Sequence, residues 1–306
     1  MGTVITAARV AAPAPGPAAA TTVRLAGEAA RDCLERARVS TDAVGVLINV
    51  GVYRERNTIE PSMAALVQKE AGIHLDYHQR TGPTATFSFD LMNGACGVLN
   101  AVQVSGALLA GGSTERVLVT AADAHPGGRA DQDPDYPYAD LGAALLLERS
   151  PIPEEGFGPV RQRGARGPAG GAGFLDMAAM GSEGRRRITV RRDQDWEPRL
   201  LDLTVDTVTG YVRDEGLELP RTLLVCNRPT PGFTAALAGR LGLAPDAVIA
   251  PEAPDAAEGV PHTAAPVLGY LRAVEGGLPE GYDQLLIVSA GAGLTAACVS
   301  YRPRGR

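Results

Sequence analysis

The order of hydrophobic patterns along this chain predicts an α/β fold in which helices and strands form alternating layers. Three observations support this prediction. Residues 44–52 form a continuous apolar run, as expected of a strand buried on both faces. Residues 21–38 carry apolar side chains at helical spacing, which predicts an amphipathic helix with Cys33 on its buried face. The second part of the chain repeats the rhythm of the first, because each part ends with a helix followed by a pair of apolar strands.

The sequence predicts four further strands and two further helices in the first part of the chain. Pro61 lies near the start of one of these helices, where its missing N–H costs nothing. A stretch rich in Gly, Asp, Pro and Tyr, residues 126–139, predicts a long loop of the kind that often has a function. The predicted strands are residues 4–10, 84–91, 116–121 and 143–148, and the predicted helices are residues 60–69 and 97–110.

The second part of the chain follows a connecting segment that is rich in Gly, Arg and Pro. We therefore divide the chain into an N-terminal half at residues 1–150, a connection at 151–187 and a C-terminal half at 188–306. Helices are predicted at residues 197–213, 231–241 and 263–275, and strands at 222–226, 248–250, 284–290 and 294–301. A short apolar run, residues 188–190, lies between two groups of arginines.

Composition excludes several classes of function. The formal net charge of −6 argues against nucleic acid as a main partner. The four cysteines are widely spaced, which favours neither a disulfide scaffold nor a structural metal site and fits a reducing cytoplasm. Arg9 interrupts the apolar run near the N-terminus, so we expect no signal peptide, and no stretch has the length and apolarity of a membrane span.

Cys96 is the candidate nucleophile. It follows a predicted strand and a turn of small residues, and the helix predicted at residues 97–110 begins directly after it. Unpaired N–H groups and the helix dipole favour an anion at a helix N-terminus, so a thiol placed there is expected to have a lowered pKa. The same placement is also typical of a buried cysteine that serves as a small apolar side chain.

The segment at residues 90–97 reads Asp-Leu-Met-Asn-Gly-Ala-Cys-Gly. It resembles the nucleophile segment of ketoacyl-ACP synthase III-type enzymes of the thiolase superfamily. Further segments with the same resemblance follow in the family's order at residues 113–123, 140–147 and 285–295. The resemblance implies a thiolase-like fold of two similar α/β halves in a five-layer αβαβα arrangement. It also implies that Cys96 is acylated by a thioester and that the enzyme is a homodimer.

The other catalytic residues follow from the same resemblance, with one departure. The family has a histidine after one strand and an asparagine before a later helix, whereas here Asn227 stands at the first position and His262 at the second. The resemblance implies that both act on the second substrate, and that the N–H groups of Cys96 and Ala292 form the oxyanion hole. An ordinary turn at Asn227, and a position beside a helix cap at His262, are the less favoured alternatives. The other histidines are His74, His78 and His125.

The exchanged pair affects the expected reaction. An imidazole is the side chain best suited to act as a base near neutral pH. We therefore expect an acyltransferase that takes an acyl group from acyl-CoA or an acyl carrier protein onto Cys96 and passes it to a second substrate, in specialised, polyketide-type biosynthesis. No cofactor and no metal are expected.

Three alternatives remain open: decarboxylative condensation with a malonyl thioester, hydrolysis of the thioester, and a catalytically silent subunit that pairs with an active synthase. The arginines at residues 185–187 and 191–192 fit either the phosphates of CoA and the acidic surface of a carrier protein, or a charged edge that protects a solvated strand.

Overall fold

The structure is a computed structural model. It describes residues 2–14, 20–75, 85–128, 130, 133–176, 178, 184–254, 257, 259–291 and 293–304. The helices are α1 (Thr22–Ala37), α2 (Met63–Glu70), α3 (Gly97–Ala110), α4 (Trp196–Glu215), α5 (Phe233–Leu241) and α6 (Ala265–Val274). The strands of the N-terminal half are β1 (Thr3–Ala11), β2 (Val46–Asn49), β3 (Phe87–Asp90), β4 (Arg116–Asp123) and β5 (Leu141–Arg149). The later strands are β6 (Gly156–Phe157), β7 (Arg161–Gly164), β8 (Gly171–Phe174), β9 (Thr189–Arg192), β10 (Thr222–Cys226), β11 (Val248–Ile249), β12 (Gln284–Gly291) and β13 (Thr295–Arg302).

Two mixed sheets form the framework of the fold. The first has the strand order β1-β5-β4-β2-β3, in which β2 pairs in parallel with β3 and β4. The second has the order β11-β10-β12-β13-β6, and β7 also pairs with β13. In this sheet β10 and β12 are parallel, so their carboxyl ends meet at one edge. The carboxyl ends of β2, β3 and β4 likewise meet at one edge of the first sheet, which is where loops carry sites in sheets of this kind.

Successive side chains of a strand point to opposite faces of its sheet, and each face packs against a different apolar core. This alternation defines the layers. In β5, Leu145 and Leu147 face a core that contains α3 and α6, whereas Ala144 and Leu146 face α1 and α2. The second sheet alternates in the same way between the α3–α6 core and a third core with α4 and α5. The order of layers is therefore α1 and α2, the first sheet, α3 and α6, the second sheet, and α4 and α5. The predicted five-layer α/β arrangement is confirmed.

Most predicted elements are present, with differences at their ends. The strand predicted at residues 44–52 is confined to β2, although the N–H of Val50 just beyond it still donates to the carbonyl oxygen of Thr120 in β4. Cys33 is fully buried between α1 and its neighbours, as predicted. The sequence patterns did not predict β6, β7 and β8, which lie in the predicted connection at residues 151–187. These strands are short, and β7 and β8 are mostly exposed, so they lack an apolar pattern. The division into 1–150, 151–187 and 188–306 stays a prediction.

None of the helices formed by the described residues combines the length and apolarity needed to cross a membrane.

Candidate active site

Cys96 lies at the junction of a short turn and the central helix α3. A single 3-10 turn, Gly94–Cys96, leads directly into this helix, so the predicted placement of the thiol at a helix N-terminus is confirmed. Gly94 has a φ of 49°, a left-handed conformation that glycine adopts without a Cβ clash. At Gly97, an added Cβ would lie 2.9 Å from Cβ of Val50. The start of the helix therefore packs against the segment that follows β2 with no room for a side chain.

The thiol of Cys96 is buried and faces the second sheet. The residue is 1% exposed, and its Sγ lies 3.5 Å from the carbonyl oxygen of Ser289 and 3.8 Å from that of Thr295. Burial raises the pKa of the thiol to about 12, and a backbone hydrogen bond with Ala297 offsets only part of this effect. The predicted lowering of this pKa is therefore wrong. A helix terminus stabilises the thiolate by about 0.3–1 kcal/mol, which corresponds to less than one pKa unit. Desolvation raises the pKa of a buried thiol by up to several units, so burial is the larger effect.

The oxyanion hole predicted from the sequence is only partly described. The N–H of Cys96 donates to the carbonyl oxygen of Asn93 at 3.0 Å, so this donor is already used within the turn. Ala292, the second predicted donor, lies outside the described residues. Its neighbour Gly291 lies against the turn, because an added Cβ there would be 3.0 Å from Cβ of Ala95. The end of β12 is thus in contact with the segment that carries the nucleophile.

A buried carboxylate orients His262. Oδ2 of Asp123, at the end of β4, lies 3.1 Å from Nδ1 of His262 and also accepts from the N–H and the hydroxyl of Thr263. Its Oδ1 accepts from the N–H groups of Val52 and Tyr53. Burial raises the pKa of Asp123, but His262 and the other hydrogen-bond donors outweigh burial and lower it to about 2. The carboxylate therefore remains ionised and acts only as an acceptor.

The Asp123 contact determines which nitrogen of neutral His262 carries the proton. Because the carboxylate can only accept, Nδ1 of His262 must donate, and Nε2 is left as an unprotonated acceptor. This Nε2 is directed at the turn that carries Cys96, since a Cβ built on Gly94 would lie 3.6 Å from it. The imidazole also packs on the ring of Tyr138, with a centroid distance of 4.2 Å and an interplanar angle of 30°. Within the described part of the chain, His262 makes no hydrogen bond with Cys96.

Asn227 is close to His262 but is engaged elsewhere. Its amide nitrogen donates to the carbonyl oxygen of Ala290 at 2.8 Å, and its carbonyl oxygen accepts from the N–H of Ala290 at 2.7 Å. This pair of bonds joins the carboxyl ends of β10 and β12. Asn227 lines the same pocket as His262, as its sequence position predicts, while the predicted contact with a substrate carbonyl stays a prediction.

His74 and His125 do not line this pocket. His125 is buried, with Nε2 2.9 Å from Oδ2 of Asp133 and Nδ1 accepting from the N–H of Gly127. His74 contacts the hydroxyl of Thr86. His78 lies outside the described residues.

A small pocket lies next to His262, and it is lined by residues that are distant from one another in the sequence. Its cationic residues are Arg192 and Arg228, and its aromatic ones are Tyr138 and Trp196. The other lining residues are Ala95, Asn227, Pro229, Val260, Pro261, His262, Ala290 and Gly291. Cys96 is not among them, because Ala95 and Gly291 lie at the surface of the pocket beside it. Across the described ranges, no three His, Cys, Asp or Glu side chains form a group that could hold a metal ion.

Sequence reasoning missed two residues of this site, Asp123 and Tyr138, and it named Arg192 only as one of a group of arginines. Asp123 ends a buried strand, and a carboxylate at such a position is a signal that could have indicated a partner. Tyr138 belongs to the predicted loop at residues 126–139, and it pairs with Val260 as an isolated bridge. Arg192 lies in the arginine-rich stretch, where the sequence pattern gave no reason to separate it from its neighbours.

Comparisons with known proteins show which fold this is. Neither a protein-family model nor a protein with curated annotation matches the chain in sequence. Solved structures do match in three dimensions. The 3-oxoacyl-(acyl carrier protein) synthase III FabH of Pseudomonas aeruginosa has a TM-score of 0.77 at 17% identity, with coverage of 100% of this chain and 99% of that chain.

Two further structures agree with this result. A histidine-to-aspartate variant of OleA from Xanthomonas campestris has a TM-score of 0.71 at 16% identity, with coverage of 99% of this chain and 98% of that chain. The 3-oxoacyl-[acyl-carrier-protein] synthase III of Aquifex aeolicus has a TM-score of 0.70 at 17% identity, with coverage of 98% of this chain and 100% of that chain. The thiolase-like fold implied by the sequence resemblance is confirmed.

Proposed function

We propose that this chain is an acyltransferase that takes an acyl group from a CoA or carrier-protein thioester onto Cys96 and passes it to a second substrate. The similarity of fold to synthase III and to OleA supports a thioester substrate. One of the similar structures, a cysteine-to-serine variant of OleA from Xanthomonas campestris, contains lauric acid and lauroyl-CoA. No bound cofactor takes part in the proposed chemistry. We further propose a specialised, polyketide-type pathway.

The observation that carries this proposal is the Asp123–His262 pair beside the Cys96 turn. Because Asp123 holds the proton on Nδ1, Nε2 of His262 accepts a proton rather than donating one. A condensing enzyme needs donors toward the thioester carbonyl of the second substrate, whereas transfer to a hydroxyl, amine or thiol needs a base. The orientation of His262 therefore favours transfer over decarboxylative condensation.

The proposed reaction has two steps. In the first, the Cys96 thiol loses its proton to a base, attacks the thioester carbonyl and expels the CoA or carrier thiolate, which takes up a proton. In the second, Nε2 of His262 removes the proton of the acceptor, whose oxygen, nitrogen or sulfur attacks the acyl-Cys96 carbonyl and releases the Cys96 sulfur as a thiol. Because Cys96 is 1% exposed, the first step requires Ala95 and Gly291 to separate and admit the thioester.

The first test is the intact mass of the protein after mixing with a panel of acyl-CoA and acyl-carrier thioesters. We expect an acyl adduct that maps to Cys96, is absent from Cys96→Ala and is retained in Cys226→Ala, a matched control because Cys226 is another free, buried cysteine. Transfer from the adduct should slow in His262→Ala without release of carbon dioxide from malonyl donors. Carbon dioxide release would instead indicate condensation.

A second candidate is a non-catalytic subunit that pairs with an active synthase. The burial of Cys96 and the use of its N–H within the turn favour this function. If no thioester in the panel gives an adduct on folded protein, and the protein co-purifies with an active synthase of similar fold, this candidate replaces the acyltransferase.

We also propose that the chain forms a homodimer through β3. This strand lies at the edge of the first sheet, and an unpaired edge tends to pair with another chain. Phe87 on this strand is 65% exposed, and Met92 just beyond it is 55% exposed. Light scattering should give twice the chain mass for the wild type and a lower mass for Phe87→Lys. A wild-type monomer at micromolar concentration would exclude this interface.

The four cysteines are free and buried. This supports a reducing compartment, and we propose the cytoplasm.

A further inference from the structure

The pocket beside His262 contains a cation that has no carboxylate partner among the described residues. Arg192 is half-buried at the end of β9 and forms no salt bridge there. The other pocket arginine, Arg228, is paired with Glu252 at 3.1 Å. The buried carboxylate of Asp123 is already held by His262 and its neighbours. Among the residues that the structure describes, Arg192 is therefore the pocket cation without a paired carboxylate.

The guanidinium of Arg192 is held in a defined orientation. Its centre lies 4.6 Å from the centroid of the Trp196 ring. Its Nη1 donates to the carbonyl oxygen of Pro229 at 3.0 Å, and its Nη2 donates to the hydroxyl of Tyr138 at 3.4 Å. A guanidinium has five N–H donors, so these two bonds leave others available for a ligand. A planar, oriented guanidinium is well suited to bind a carboxylate through two parallel hydrogen bonds.

The position of Arg192 relative to the base is set by one side chain. Tyr138 accepts a hydrogen bond from Arg192 and packs at a tilt against His262, with ring centroids 4.2 Å apart. A ligand bound at Arg192 would therefore have its anion on one side of Tyr138 and its reacting group on the other, next to Nε2 of His262.

We propose that the acceptor of the acyl group carries a carboxylate, which Arg192 binds, and that this contact selects the acceptor. The proposal rests on the proposed acyl transfer. Its chemistry is the same second step: His262 removes the proton of the hydroxyl, amine or thiol of the acceptor, and the carboxylate takes no part in bond formation.

Binding can be measured independently of activity. Trp196 is the only tryptophan of the chain and lies against Arg192, so its fluorescence reports a ligand bound there. The probes are matched pairs that differ in one group: glycine and glycinamide, lactate and lactamide, and 3-mercaptopropionate and its amide. We expect at least one carboxylate to change the fluorescence at a concentration about tenfold lower than its amide does.

Transfer is then measured as the decay of acyl-Cys96 in the presence of the same pairs. The wild type should favour the carboxylate of at least one pair by about tenfold, and Arg192→Met should reduce this ratio to about one while loading from the thioester is unchanged. Arg192→Lys keeps the positive charge but loses the planar pair of N–H donors, so it should retain part of the preference for the carboxylate. Arg191→Met is the matched control, because Arg191 is on the same strand but lies over Phe174.

The outcomes separate the two proposals. Equal binding and equal transfer within every pair of the wild type would overturn the inference. So would a loss of loading in Arg192→Met with an unchanged ratio, which would assign Arg192 to a phosphate of the thioester donor. If no adduct forms at Cys96 but carboxylates still change the Trp196 fluorescence in an Arg192-dependent way, the proposed transfer fails while the anion site stands.

Discussion

Replacing Asp123 by Asn is expected to reverse the proton positions on His262. The amide can keep its oxygen at the Oδ1 position, where the N–H groups of Val52 and Tyr53 donate at 2.9 and 2.8 Å. Its NH₂ group then faces His262 and Thr263. The NH₂ can donate to Nδ1 of His262, which forces the ring proton onto Nε2. The opposite flip would place NH₂ against two backbone N–H groups and is therefore less favourable.

The cost of this substitution follows from the same contacts. In the favoured orientation the N–H of Thr263, now 3.0 Å from Oδ2, loses its acceptor while buried. A buried donor without a partner costs about 1–3 kcal/mol, and the bonds that persist weaken when their acceptor loses its charge. We expect the free energy of unfolding to fall by about 2–4 kcal/mol. Acyl transfer should slow by about 10²–10⁴-fold, the usual contribution of a general base.

The assay combines three measurements on Asp123→Asn and on Asp133→Asn. Asp133 pairs with His125 away from the pocket and is the matched control. Urea denaturation gives the free energy of unfolding, decay of acyl-Cys96 gives the rate, and ¹⁵N spectra of histidine-labelled protein give the protonated nitrogen of each ring. Wild-type His262 should carry its proton on Nδ1, and Asp123→Asn should move it to Nε2. A variant with the wild-type tautomer and the wild-type rate would refute the reasoning.

Three other predictions address the surroundings of the site. Asn227→Ala should lower the free energy of unfolding by about 2–4 kcal/mol in urea denaturation, because it leaves a buried N–H and C=O of β12 without partners; an unchanged midpoint would contradict this. Because burial raises the pKa of Cys96 to about 12, its alkylation by iodoacetamide should accelerate about tenfold per pH unit from pH 7 to 10, and a plateau near pH 9 would show an unperturbed thiol. Gly97→Ala should destabilise the protein by about 1–3 kcal/mol in the same denaturation assay, since its Cβ would lie 2.9 Å from Cβ of Val50. Gly106→Ala in the same helix is the control: its Cβ would meet only a hydroxyl at 3.5 Å, so it should be neutral or stabilising by up to about 1 kcal/mol.

Much of the fold was predictable because it depends on local patterns. A strand that is apolar on both faces must be covered on both faces, so the runs that became β4, β5 and β12 already implied layers of helices on each side. The short exposed strands β7 and β8 were missed for the same reason, since they bury too little to have a pattern.

The candidate site was predictable only in part. Cys96 was identified from its place before a helix and His262 from the family resemblance, and the position of Cys96 at the start of α3 is confirmed. The lowered pKa predicted for Cys96 was wrong, because a helix N-terminus can be recognised along the chain whereas the burial of the thiol cannot. Asp123 could not be linked to His262, since the two residues are 139 positions apart.

The sequence by itself determined which segments are helices and strands, how they form layers and which side chains are candidates for the proposed chemistry. These properties depend on the spacing of apolar residues and on chemical type, both of which are read along the chain. Only the tertiary structure decided which polar atoms are free and which are already paired: Nε2 of His262 faces the Cys96 turn, the amide of Asn227 is bound to β12, and Arg192 lacks a carboxylate within the described ranges. The reason is physical, because a hydrogen bond or a desolvation cost depends on the atoms within a few ångströms, and the folded chain brings those atoms from distant positions.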